Sequence, residues 1–319
     1  MKSEQEQLVA EIAREVLARL EGRGFVQAPQ KPETSAAAPA PEGDGVFATV
    51  DEAVAAAAEA QPRVAALSLA ERGRMVEAIK DLCCRHAEEW GRLELEETGL
   101  GRLDHKIEKL KIIRNVPGVE MLAPQARTDA SGLCLIERAP WGVIGMVLPA
   151  THSAPTLASN AINVLAAGNT AVFSPHPAGA RIAMRALQHF NRAIERETGV
   201  RNALAMCATA SIRTAEELFR HPGVALLCVT GGPNVVRAAM KHGKRVIAAG
   251  PGNPPVVVDE TADLDLAAKS VVQGASFDNN LLCIGEKEVF VVAQVFDAFL
   301  AAMRRAGAYE LKPDAIERL

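Results

Sequence analysis

Cysteines stand at positions 83, 84, 134, 207, 228 and 283, and a thiolate is a strong nucleophile, so the first question is which of the six could do chemistry. None shows Cys-x-x-Cys spacing, and no histidine sits at zinc-finger distance, so neither a metal site nor a disulfide framework is expected. Cys83 and Cys84 are neighbours in an Ala-rich, helix-forming stretch and point in different directions, as packing residues do. Cys207 and Cys228 lie inside apolar runs and read as core. Cys283 differs in its surroundings, SFDNNLLCIGE (276–286). There Asp278, Asn279 and Asn280 mark a loop, and Gly285 permits an unusual backbone angle, so the thiol is expected to be accessible. No histidine is adjacent to form the Cys–His pair of protease-type chemistry. Accessibility does not set a thiol's pKa, so local sequence leaves the role of Cys283 open.

Two glycine-rich segments could receive a ligand. VTGGPNVVRAAM (229–240) reads as a strand, a tight turn and the start of a helix. Bare peptide N–H groups and the positive helix end suit a pyrophosphate, although a strand-to-helix turn with no ligand would look the same. AAGPGNPP (248–255) holds two glycines and three prolines in eight residues, a stiff backbone without long side chains that lets another group approach closely. Lys241, His242, Lys244 and Arg245 form a basic cluster that fits either a phosphate or a solvated helix end.

The elements that must position these segments follow from the apolar pattern. After Pro140, strand-like runs at 142–149, 170–175, 203–208, 224–232 and 245–250 alternate with helical stretches near 155–166, 178–197, 213–220 and 233–242. Such alternation predicts an α/β fold with a parallel sheet wound by helices. Upstream, residues 47–61 and 69–90 are helix-forming, with Thr49 and Asp51 placed to cap. From PPVVVDETADLDLAAKSVV onward a strand and a helix open a second unit that continues through Cys283. Residues 4–20 space Leu8, Val9, Ile12, Val16, Leu17 and Leu20 as one apolar helical stripe, and a Pro-, Ala- and Ser-rich tether follows. A tethered helix cannot bury its own stripe, so it needs its own body, a sister subunit or a foreign partner. The expected organisation is an amphipathic helix (1–20), a flexible linker (21–45), a cofactor-binding domain with N-terminal helices (46–254) and a partial catalytic domain (255–319).

Net charge is −4, from 35 basic and 39 acidic residues, which gives no nucleic-acid footprint. No apolar run reaches the length of a membrane span, so no membrane partner is expected. The acidic start MKSEQEQ is unlike a secretory signal and points to the cytoplasm.

PWGVIGMVLPATHSAPTLASNAINVLAAGNTAVFSPHP, LLCVTGGPNVVRAAMKHGKRVIAAGPGNPPVVVDETADL and GASFDNNLLCIGEKEVFVV, in this order, resemble the aldehyde dehydrogenase superfamily. Within it they look most like the CoA-acylating aldehyde dehydrogenases of ethanolamine and propanediol utilisation. The resemblance runs from about Phe47 to the end. It implies a Rossmann-like parallel-sheet cofactor domain, followed by the start of an α/β catalytic domain. It makes Cys283, six residues after Phe277, the nucleophile. It places Ser174, Pro175, His176 and Pro177 near the cofactor's adenosine ribose, and Thr230, Gly231, Gly232 and Pro233 on the pyrophosphate side, with Gly250 as a further cofactor-binding position. Hydrolytic relatives carry a water-activating glutamate where this chain has Ala248, and no carboxylate lies between Val246 and Val258. Where many relatives have an oxyanion-binding asparagine, this chain has His152, with Thr151 or Ser153 as the donor if the match shifts by one residue.

The implied function is oxidation of a short aldehyde with CoA to an acyl-CoA, with NAD, or NADP, as the hydride acceptor. The alternatives are a hydrolytic aldehyde dehydrogenase and an inactive, shortened microcompartment-associated protein. Only 36 residues follow Cys283 (319 − 283), fewer than the family pattern, so a truncated chain is expected. Residues 1–20 resemble the encapsulation peptides that bring such enzymes to a bacterial microcompartment shell or core protein. A homo-oligomer is expected at full length.

Overall fold

The computed structural model describes residues 43–317. The amphipathic helix expected over 1–20, and nearly all of the linker expected over 21–45, lie outside the described residues.

The chain enters through a two-residue strand, β1 (Val46–Phe47), and turns into α1 (Val50–Ala66). Thr49 caps α1 with a reciprocal pair: the Glu52 amide donates to Thr49 Oγ1 at 3.2 Å and the Thr49 amide to the Glu52 carboxylate at 3.1 Å. Asp51 sits in the first turn, where a negative charge complements the helix dipole, and does not itself cap. The helix-forming stretch 69–90 divides at His86 into α2 (Leu69–Arg85) and α3 (Ala87–Thr98). A shorter α4 (Leu103–Lys111) follows. An antiparallel hairpin, β2 (Gln125–Asp129) and β3 (Gly132–Ile136), then stands fully exposed, with Cys134 on it.

All five predicted strands after Pro140 are present: β4 (Val143–Val147), β5 (Thr170–Ser174), β6 (Leu204–Cys207), β7 (Leu226–Thr230) and β8 (Arg245–Ala249). The intervening helices are α5 (Ser153–Ala166), α6 (Ala180–Thr198), α7 (Ile212–Arg220) and α8 (Pro233–Met240). With β1 they make a six-stranded sheet of order β1-β6-β5-β4-β7-β8, parallel throughout. Every residue of β4, β5 and β6 is buried, as strands covered on both faces require.

Alternate side chains feed two cores. Ile144, Met146, Ala171, Phe173, Leu204 and Met206 pack with α2, α5 and α6. Val143, Val147, Val172, Ala205 and Cys207 pack with α1 and α7 on the other face. The sheet is therefore doubly wound, and the Rossmann-like expectation holds. Burial raises the thiols of Cys83, Cys207 and Cys228 above their usual range, which fits packing roles.

Beyond β8 the chain builds a small parallel pair, β9 (Pro255–Val258) and β10 (Glu288–Val291), with α9 (Leu264–Ser276) and α10 (Phe296–Arg305). Val258, Ala268, Phe299 and Ala302 form its separate apolar cluster. No helix among the described residues is long and apolar enough to cross a membrane.

Candidate active site

In a parallel sheet the carboxyl ends of all strands open on one edge, and a crevice forms where the strand order reverses. Here β4 is followed in sequence by β5 on one side, while β7 and β8 lie on the other, so the crevice lies outside β4 and β7. That edge gathers the loops singled out by sequence: Leu148–Ser153 after β4, Pro175–Gly179 after β5, Gly231–Gly232 after β7 and Gly250–Pro254 after β8.

The turn after β7 leads directly into α8 with Pro233 at its first position. A side-chain carbon placed on Gly232 or on Gly250 would meet no atom within 4 Å, so the backbone faces open space at both. Ser174 and Pro175 line a small cleft with Cys207, Thr209 and Thr214. The His176 ring accepts the Ala178 amide at 3.1 Å and so caps the turn into α6. In the basic cluster, Lys244 is spent on the Val224 carbonyl at 2.8 Å and Arg245 lies over the Trp141 ring at 5.4 Å. Among the described residues no group of three His, Cys, Asp or Glu could hold a metal.

Cys283 is exposed, as expected. Its setting differs from the expectation in two ways. Gly285 does not adopt a positive φ; that conformation falls on Asp278 (φ 50°), Asn279 (φ 57°) and Asn280 (φ 58°) in succession. Left-handed non-glycine residues cost roughly 1–3 kcal/mol each and persist only where the surroundings hold them. The second correction is Asp278: rather than a solvated loop marker, it is fully buried.

Four contacts hold that turn. The Asp278 carboxylate accepts from Lys109 Nζ at 2.5 Å and from the Arg102 amide at 2.8 Å, and the Asp278 amide donates to His105 Nδ1 at 2.7 Å. The Phe277 ring stacks on His105 with centroids 4.3 Å apart. Burial alone would raise the Asp278 carboxyl, but the bonds from Lys109 and the Arg102 amide outweigh it and hold the group below its ordinary value. Downstream, Asn280 Nδ2 donates to the carbonyls of Ala275 and Glu286 at 2.6 and 3.0 Å. Lys287 Nζ reaches the carbonyls of Leu282 and Gly285, on either side of Cys283, at 3.3 and 3.2 Å. The close approach expected at AAGPGNPP is to this loop: a Cβ on Gly252 would lie 1.9 Å from the Cys283 carbonyl oxygen.

The loop after β4 is held with comparable care. Lys106 Nζ and Lys109 Nζ both donate to the Thr151 carbonyl, at 3.3 and 3.1 Å. Glu94 accepts from the amides of Ser153 and Ala154 at 3.2 and 3.4 Å, and Lys106 pairs with it at 3.0 Å. Ser153 Oγ donates to the Pro149 carbonyl at 2.9 Å, so both the amide and the hydroxyl of Ser153 are already engaged. His152 Nδ1, by contrast, is buried with no hydrogen-bond partner among the described residues. Burial, then the charges of Lys109 and Lys106, push the His152 imidazole down to about 3, so the ring is neutral at physiological pH and retains one N–H to donate.

The sequence-based reading had no place for Glu94, Lys106 or Lys109. Lys106 and Lys109, three apart in DHKIEKL, share one helix face, which is the only local signal they carry.

A family model described as the aldehyde dehydrogenase family matches residues 30–312. The acetaldehyde dehydrogenase (acetylating) EutE of Salmonella typhimurium is 49% identical over 86% of the chain, and the match spans 59% of that protein. A propanal dehydrogenase (CoA-propanoylating) of Citrobacter freundii is 38% identical over 87% of the chain and 60% of its own length. The chain thus spans about three-fifths of the length of these curated relatives. Among solved structures, a Rhodopseudomonas palustris propionaldehyde dehydrogenase with bound CoA and an acylated cysteine superposes with a TM-score of 0.82. It is 40% identical, over 87% of this chain and 64% of that one. A propionaldehyde dehydrogenase of the Clostridium phytofermentans fucose utilisation microcompartment gives 0.80 at 38% identity, over 85% and 63%.

Proposed function

The chain belongs to the aldehyde dehydrogenase family, and from that premise we propose that the whole protein oxidises a short-chain aldehyde and passes the acyl group to CoA. One observation carries the choice of acyl acceptor. Cys283 is exposed on a loop pressed against the 248–255 segment, and that segment offers no carboxylate to activate water.

Cys283 supplies the nucleophile: its thiolate adds to the aldehyde carbon and the carbonyl oxygen takes a proton, giving a thiohemiacetal. The neutral His152 N–H and the Cys283 amide are the donors proposed to steady the oxygen while it carries charge. A nicotinamide dinucleotide supplies the hydride acceptor, and the residues present fit one. The Gly231–Gly232 turn presents bare backbone at the end of β7, beside the switch point, and Gly250 does so at the end of the neighbouring edge strand β8. Ser174, Pro175, His176 and Pro177 stand at the end of β5, across β4 and beside the cleft, for the ribose. Loss of the hydride, with release of the hydroxyl proton to solvent, leaves an acyl thioester on Cys283. The CoA thiolate then attacks it, acyl-CoA leaves and the Cys283 thiolate is regenerated. A missing general base slows water attack by about 10² to 10⁴, enough for a thiol to win the thioester.

The full-length enzyme given acetaldehyde or propanal and NAD should form NADH continuously only when CoA is present, stopping after about one turnover per subunit without it. Sustained NADH formation without CoA would establish a hydrolytic enzyme instead.

We further propose that residues 1–20 bring the protein into a bacterial microcompartment, on the support of their apolar stripe and of the similarity to the Clostridium phytofermentans microcompartment protein. Deleting them should abolish co-purification with the shell while leaving turnover within about twofold, since the segment lies far in sequence from every proposed site residue. Unchanged encapsulation would refute targeting.

A further inference from the structure

Four charged side chains from three stretches of the chain meet in the interior: Glu94 on α3, Lys106 and Lys109 on α4, and Asp278 in the turn before Cys283. Their exposures are 1%, 1%, 3% and 0%. Two ammonium groups face two carboxylates, so the cluster is neutral as a set. An apolar cluster of similar volume could stabilise the fold as well, so burial of four charges asks for a reason other than stability.

The reason is visible in where the contacts end. Lys109 Nζ touches the Asp278 carboxylate, five residues before Cys283, and the carbonyl of Thr151, the residue before His152. A single ammonium therefore joins the loop of the proposed nucleophile to the loop of the proposed oxyanion donor. Lys106 doubles the hold on the Thr151 carbonyl, and its partner Glu94 fixes the two amides that follow His152. His152 is thus clamped on both sides. On the other loop, three successive left-handed residues need an external restraint, and Asp278 receives it from Lys109 and Arg102.

We infer that Lys109 is a positioning residue, which keeps the Cys283 turn and the His152 loop at the separation the acyl-transfer chemistry needs; this rests on the proposed function for its catalytic meaning, though not for the link between the loops. Without the charge, the loops would lose the one group that touches both. They would stay joined only indirectly through α4, by Lys106 at the Thr151 carbonyl and by the Arg102 amide and His105 at the Asp278 turn. The thiol would stay exposed and reactive while the aldehyde reaction, which needs both loops, slowed.

The test uses the full-length enzyme with Lys109→Met, Asp278→Asn and the double substitution. Asp278→Asn keeps an acceptor for the Arg102 amide, so it provides a folded variant if Lys109→Met does not fold. In folded variants kcat should fall about 10- to 100-fold. KM for the dinucleotide should stay within about twofold, alkylation of Cys283 by iodoacetamide within about threefold, and the double variant should be no worse than the worse single one. Hydrogen exchange at 148–154 and at 276–285 should accelerate together in each variant, with the six-stranded sheet still protected. That readout needs no turnover, so an inactive wild-type protein would overturn the proposed function while exchange still decided the link. Folded Asp278→Asn with kcat and both exchange rates within threefold of wild type overturns the inference. So does a loss shared equally by Cys283 alkylation and dinucleotide binding, which would mark general loosening.

Discussion

Replacing Cys283 by serine is expected to reduce CoA-dependent NADH formation by on the order of 10⁴-fold or more, the scale seen when a covalent nucleophile is removed. A serine hydroxyl is almost wholly protonated near neutrality, and no adjacent base in SFDNNLLCIGE would activate it. The effect should be confined to chemistry. The side chain is exposed, so its loss removes little packing, and the thermal midpoint should move by no more than a degree or two. The proposed dinucleotide contacts lie on other loops, at the ends of β5, β7 and β8, so dinucleotide affinity measured by fluorescence titration should be unchanged. Cys134→Ser is the matched control: that thiol is also exposed, on the hairpin, and its replacement should leave turnover intact. A Cys283→Ser enzyme keeping more than a few per cent of wild-type kcat would remove Cys283 from the mechanism.

The sheet was legible in the sequence because its strands are short apolar runs closed by glycine, proline or a polar turn; β4, β5 and β6 are covered on both faces, whereas the edge strand β8 is largely exposed. The break at His86 carries no such punctuation, since CCRHAEEW contains neither glycine nor proline; it shows only in the backbone, where His86 leaves the helical region at φ −99° and ψ 10°. The β2–β3 hairpin was missed because all ten of its residues are exposed, so no buried-face alternation marks it. Cys283 was singled out by its polar neighbours, and the order of the surrounding motifs suggested its proposed role. Asp278 was misread for the same reason that Cys283 was found. An acidic residue among asparagines reads as solvated loop, and its burial depends on partners far off in sequence: Lys109, 169 positions away, and the Arg102 amide. The strained backbone was assigned to the glycine on general propensity, whereas aspartate and asparagine took it where side-chain contacts could hold it. The position of His152 came from motif order; of the alternatives Thr151 and Ser153, Ser153 is occupied on both its polar groups, which supports the proposal of His152 as the donor.

Gly252→Ala is the second substitution expected to be severe, and its severity comes from geometry alone. The added methyl would fall 1.9 Å from the Cys283 carbonyl oxygen and 3.0 Å from its carbon, so backbone must move on one side or the other. Neither side is free. The Cys283 loop is tied by Lys287 to the carbonyls of Leu282 and Gly285 and, through Asp278, to Lys109. The Gly252 segment is bounded by β8 and β9 and stiffened by Pro251, Pro254 and Pro255. Overpacking of this kind costs about 1–3 kcal/mol in stability. A displacement of about 1 Å at the proposed nucleophile is expected to cost about 10²-fold in rate. Both effects should appear, as a lower thermal midpoint and a kcat reduced by roughly two orders of magnitude. Gly274→Ala separates this from any generic cost of replacing a glycine. Its methyl would come even nominally as close, 2.0 Å, but to the end of the flexible Glu286 side chain, which can rotate away. Turnover of Gly274→Ala should therefore stay within about threefold of wild type. Equal losses in the two variants would mean that contact with the Cys283 backbone is not what makes Gly252 necessary.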